Sequence, residues 1–137
     1  MFDARGARDI SKARERATSY GRVPEVHGKV VAELTLGFWR YLAAQRYLTT
    51  LWVPALAAAF PHGPADLGVR RREVDRRLAS LHLVRNRAAH HEPIHRRDLS
   101  SDWKVAVELA AWVHPDAGAW VAARSTLNAV MASRPRR

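Results

Sequence analysis

Between Val69 and Ala89 the apolar positions fall at steps of four and three. Val74, Leu78 and Leu81 share one stripe, and Arg85 continues it at the next step of four, so the spacing predicts a helix over about 69–89 with an arginine on its core side. Val26, Val30 and Leu34 recur every four residues and predict a helix from about Pro24 to Leu36, with Pro24 suited to its first turn. Ahead of it, residues 8–20 (RDISKARERATSY) mix good helix formers with charge and stop at Gly21 and Pro24. Residues 36–60 (LGFWRYLAAQRYLTTLWVPALAAAF) are punctuated only by Gly37 and Pro54. They predict two deeply buried helices, about 37–48 and 51–60. Pro61, Gly63 and Pro64 then form a loop. Pro93 halts the 69–89 segment, and Asp98 or Ser100 can cap a helix that runs through about Val113. Pro115 fits the first turn of a last helix, roughly 115–132, before a basic tail at 134–137. Strand alternation is nearly absent, and there are no repeats or long linkers. The expectation is an all-α, single-domain bundle of six or seven helices spanning residues 1–137.

Composition adds bounds. A chain of 137 residues fits one domain, and its 47% hydrophobic content supports a packed core without a staple. No cysteine is present, so disulfides, thiolate nucleophiles and cysteine zinc sites are excluded. The longest mostly apolar run, YLTTLWVPALAAAF at 47–60, holds a proline and is too short for a hydrocarbon core of about 30 Å. Nothing after Met1 resembles a signal peptide, and the chain reads as cytoplasmic with no membrane partner. Net charge is +10, and all but three of the 23 basic residues are arginine. Such a field favours polyanions, and arginine is the better fork for phosphate, which makes nucleic acid the leading partner. A solvated arginine-rich surface with no particular partner is the alternative.

The chemistry concentrates in LHLVRNRAAHHEPIHRRDL, residues 81–99. Asn86 and His90 are four apart, so on a continuous helix they lie about 40° apart on one face, with Arg85 beside Asn86. Each residue type has work to do on a phosphodiester. Imidazole can take or give a proton near neutral pH, and a guanidinium can hold the charge that builds at phosphorus. An amide can fix the imidazole tautomer or orient a phosphate oxygen. These groups can cleave RNA without metal, because RNA carries its own nucleophile in the 2′-hydroxyl. Structural roles stay open beside this: His90 as a helix C-terminal cap, and Arg85 as a buried partner of Glu92 or Glu73.

The segment LVRNRAAHHEPIHRRDL resembles the signature of the HEPN superfamily, whose ribonucleases carry an arginine, a polar residue and a histidine a few positions on. More narrowly, the chain is similar to the Abi-like (AbiD/AbiF-type, abortive-infection) branch. Residues 30–61, with their Gly37-Phe38-Trp39 centre and Leu51-Trp52 further on, resemble that branch's second block. The two blocks place the likeness along residues 8–124. Members of the branch commonly carry additional helices earlier, so the chain begins part-way into the pattern. The resemblance implies a HEPN-type bundle and catalytic positions at Arg85, Asn86 and His90, with His91 as the alternative histidine. It also implies a homodimer in which two such motifs face each other across a two-fold axis. Phage defence by a toxin-type endoribonuclease is the implied activity, and an antitoxin or regulatory protein is a candidate partner. Inactive HEPN modules that bind RNA or a partner protein are the second reading.

His95, Arg96 and Arg97 extend the basic edge and are candidate RNA-binding residues, with a solvated loop as the alternative. Residues 70–77 (RRREVDRR) read as a wet helix face with an Arg71–Asp75 pair. The tryptophans at 39, 52, 103, 112 and 120 read as core, and His27 and His114 as structural. His90, His91 and His95 lack a carboxylate pair or cysteine at ligand spacing, so no metal and no cofactor are expected. A helix-based DNA binder ranks last, for want of a helix-turn-helix signature.

Overall fold

A computed structural model describes residues 2–133. Among these the chain is all-α, with seven α-helices and no strand. The helices are α1 (Ala4–Ala17), α2 (His27–Glu33), α3 (Leu36–Leu42), α4 (Leu67–Ala89), α5 (Leu99–Val113), α6 (Pro115–Arg124) and α7 (Leu127–Ala132). The tail expected at 134–137 lies outside the described residues.

Local chemistry explains most of the starts. Asp3 caps α1 by accepting from the amides of Arg5 (3.1 Å) and Gly6 (3.0 Å). Asp66 caps α4 through the Val69 amide (2.6 Å), and Asp98 caps α5 through the Ser101 amide (2.9 Å). His114 caps α6 with Nδ1 accepting from the Asp116 amide at 3.2 Å, while Pro115 occupies the first helical position. α1 ends as Ser19, Tyr20 and Gly21 enter left-handed backbone (φ 49°, 58° and 83°). Only the last of these is a glycine.

Several expectations need correction. Pro24 does not open a helix: α2 begins at His27 and is only seven residues long. The predicted helices 37–48 and 51–60 are one short helix, α3, followed by 3-10 turns at Gln45–Tyr47 and Leu56–Ala59 and a π turn at Leu48–Trp52. The last predicted helix is two, split at Ser125 and Thr126. Not every tryptophan is core either. Trp52 is 1% exposed, whereas Trp39 is 40% and Trp120 63% exposed.

The core gathers Ala43, Trp52, Ala57, Val74 and Leu109, with Leu78, Leu81 and Trp112 against it. α4 packs against α3, α5, the 3-10 turn at Leu56–Ala59 and the π turn, α5 against α6, and α1 against α2. Trp52 donates its indole N–H to the Leu67 carbonyl (2.9 Å), tying the irregular segment to the start of α4. Residues 70–77 are not a wet face throughout. Arg71 is 5% exposed and donates to the Ala43 carbonyl at 2.7 Å, with Asp75 at 3.8 Å. No helix of the described residues is long and apolar enough to cross a membrane.

Candidate functional site

α4 is 23 residues, about 34 Å at 1.5 Å per residue. Its first half is embedded: Val74 is 0% exposed. Along the same stripe Leu78 and Leu81 are only half-buried, and Arg85 is exposed. The stripe that is core at Val74 has thus become surface at Arg85. Arg85 therefore does not sit in the core and is not a partner of Glu73 or Glu92. Glu73 is held by Arg76 and Arg77, and Glu92 lies 3.7 Å from Arg87.

Arg85 and Asn86 are brought together, Arg85 Nη1 donating to Asn86 Oδ1 at 3.1 Å. The asparagine's other contact is His82, whose Nε2 lies 3.1 Å from Asn86 Nδ2. His82 sits in the greasy approach to the motif, and sequence reasoning passed over it. The signal was present, since His82 precedes Asn86 by four residues, the same interval that separates Asn86 from His90.

His90 and His91 lie where α4 stops. The amide of His91 donates to the Ala88 carbonyl (3.2 Å) and that of Glu92 to the Arg87 carbonyl (2.8 Å), with His91 left-handed at φ 55°. This is the Schellman closure, with histidine where glycine is usual. Both side chains are exposed, and among the described residues no hydrogen bond orients either ring.

The trio after the motif is not uniform. His95 and Arg96 are exposed, whereas Arg97 is half-buried and committed to the fold. Its guanidinium meets Asp102 twice (Nε to Oδ2 3.0 Å, Nη2 to Oδ1 2.8 Å), and Asp102 also accepts from Ser80 at 3.0 Å. The hydrogen bonds from Arg97, reinforced by that from Ser80 and by the guanidinium charge, outweigh burial and hold the Asp102 carboxyl below its usual range. This fork pins the connection between α4 and α5 just beyond the histidines.

One wall of an open cleft of about 480 Å³ is formed by His82 and Arg85, and the facing wall by the α2–α3 corner from Ala32 to Gly37. The Glu33 carboxylate at its rim is paired with Arg16 at 2.8 Å. No group of three His, Cys, Asp or Glu side chains that could hold a metal is found among the described residues.

Fold and site thus define an all-helical protein with an arginine–amide–imidazole cluster towards the C-terminal end of its longest helix. Compared with known proteins, the chain matches no family, no curated protein and no solved structure.

Proposed function

We propose that this protein is a metal-independent endoribonuclease of abortive-infection or toxin type, a HEPN-like helical domain that works as a homodimer in phage defence. The observation that carries the reading is the exposed polar end of α4, where a guanidinium and an amide are hydrogen-bonded and a histidine follows one turn later. In this scheme His90, or His91 in its place, takes the proton from a ribose 2′-hydroxyl. The 2′-oxygen attacks phosphorus, the bond to the 5′-oxygen breaks, and the products are a 2′,3′-cyclic phosphate and a 5′-hydroxyl end. Arg85 holds the charge that builds on the phosphoryl oxygens, and Asn86 orients. The histidine of the second copy, facing the first across the two-fold axis, protonates the leaving oxygen. His95 and Arg96 guide the backbone towards the site, while Arg97 serves from within by fixing their segment to α5.

The test is RNA cleavage in chelator, with the dimer verified by light scattering. Removing the base or the charge stabiliser, by His90→Ala or Arg85→Ala, should lower the rate by roughly 10²–10⁴-fold while the helical circular dichroism is retained. Wild-type dimer that leaves varied RNAs intact sinks the proposal. The second reading is an inactive module that binds RNA or a partner protein, and the absence of any hydrogen bond orienting His90 or His91 among the described residues favours it. Salt-sensitive RNA binding with no products is its signature.

A further inference from the structure

We propose that the cleft between the α2–α3 corner and α4 seats one unpaired nucleotide of the RNA next to the cleaved bond. The inference rests on the nuclease reading for its place in the reaction, though not for the binding itself. At about 480 Å³ the cleft falls within the range of small-ligand sites, about 300–1,000 Å³. Arg85 belongs both to its wall and to the cluster at the end of α4, so a phosphate held by that guanidinium has its neighbouring nucleoside at the cleft mouth. Leu34 and Leu36 supply apolar surface for a base, and the half-buried His82 imidazole supplies a ring and polar edge. The Glu33 charge that would repel a phosphate is offset by Arg16.

Gly37 is the telling residue. It lies in the first turn of α3 without a positive φ, so the helix backbone makes no demand for a glycine there. A Cβ there would touch Cε1 and Nε2 of His82 at 3.5 Å each. Any larger side chain must enter the space between the corner and the ring. Glycine keeps that space open. A base paired within a duplex enters such a space only by giving up its pair and its stack, at a cost of a few kcal/mol, whereas an unpaired base can be splayed out and held.

The experiment measures fluorescence anisotropy with a labelled single strand of about ten 2′-deoxy nucleotides, alone or annealed to its complement. Such a strand cannot be cut through a 2′-hydroxyl, so binding is read apart from cleavage. Gly37→Leu closes the cleft sterically, and Ala32→Glu adds a carboxylate on its exposed rim; Ala119→Glu makes the same charge change on α6, off its walls. The expected result is that wild type prefers the single strand by at least about tenfold, and that each cleft variant loses about tenfold for that strand only, a drop comparable to losing one stacked base. Ala119→Glu should stay within about twofold of wild type, as a screened remote charge must. Equal affinity for single strand and duplex overturns the proposal, as does wild-type affinity in both cleft variants. Should RNA survive uncut while these binding differences hold, the nuclease reading falls and the nucleotide seat stands.

Discussion

Arg71 sets two physical effects against each other. Replacing a buried charge pair by apolar groups is often neutral or stabilising by about 1–4 kcal/mol, because desolvation exceeds the attraction. On that ground Arg71→Met, which keeps the length of the stem, should do no harm. The geometry argues otherwise. The main partner of Arg71 is the backbone carbonyl of Ala43, at 2.7 Å, while Asp75 is 3.8 Å away and more than one-third exposed. A backbone carbonyl cannot be mutated away, and Ala43 is buried where α3 ends and the 3-10 turn begins. Losing its donor leaves a buried acceptor unsatisfied at about 1–3 kcal/mol. Against this, Arg71 Nε is itself buried without a hydrogen-bond partner, and its removal returns part of that. The expected net loss is about 2 kcal/mol. For 137 residues the unfolding entropy is about 0.29 kcal/mol/K, so Tm should fall by about 7 °C in a thermal melt followed by circular dichroism. Arg71→Ala, which also empties the space of the stem, should lose about 3–4 kcal/mol. Asp75→Ala should lose under about 1 kcal/mol. An Arg71→Met protein as stable as wild type would refute the argument and hand the decision to desolvation.

Gly118 of α6 lies so close to α5 that a Cβ would stand 2.7 Å from that of Ala111; Gly118→Ala should cost about 1–3 kcal/mol by urea denaturation, and adding Ala111→Gly should recover part of it. His91→Gly removes a non-glycine residue from left-handed backbone and should raise Tm by about 2–3 °C; if RNA cleavage survives in it, His90 is the working histidine. Asp102 has its carboxyl pKa lowered in the folded state, chiefly by the Arg97 hydrogen bonds, so its contribution is present above the ordinary carboxylate range and is lost as pH falls through the lowered folded value. Asp102→Asn should therefore flatten the acid limb of stability measured between about pH 6 and pH 2, and an unchanged slope would contradict the pairing.

The parts of the fold that were legible are those whose signals are local. α4 and α5 begin one residue after Asp66 and Asp98, whose side chains cap them, and the break between them contains Pro93. The segment 36–60 was not legible, because its apolar residues suit helix all along. What breaks it is tertiary: Arg71 takes the Ala43 carbonyl and Trp52 reaches the Leu67 carbonyl, contacts separated by 28 and 15 residues. The split at Ser125 has neither glycine nor proline to mark it. For the site, spacing alone grouped Arg85 with Asn86 and set His90 one turn on. Exposure of Arg85 was not readable, since periodicity reports which face a residue is on and not where along the helix the neighbouring elements stop.

Hydrogen bonds give the polar cluster its order. Asn86 presents its oxygen to the Arg85 guanidinium and its nitrogen to His82, each at 3.1 Å. Turned the other way, the amide would set donor against donor at Arg85. The nitrogen is thus set to donate to Nε2 of His82, a contact that suits the ring tautomer with its proton on Nδ1. Arginine orients the amide, and the amide faces the ring. An amide offers two N–H groups and two lone pairs, so one of each remains for a substrate, in an orientation already set. Such a chain would wander on a loop. Here it rides a continuous helix gripped at its other end by Val74 and Arg71, so its precision comes from residues three and four turns below. The core half of α4 acts as the mount for a half-buried amide and imidazole and an exposed guanidinium, which is why this hydrogen-bonded chain can stand at the surface and still be aimed.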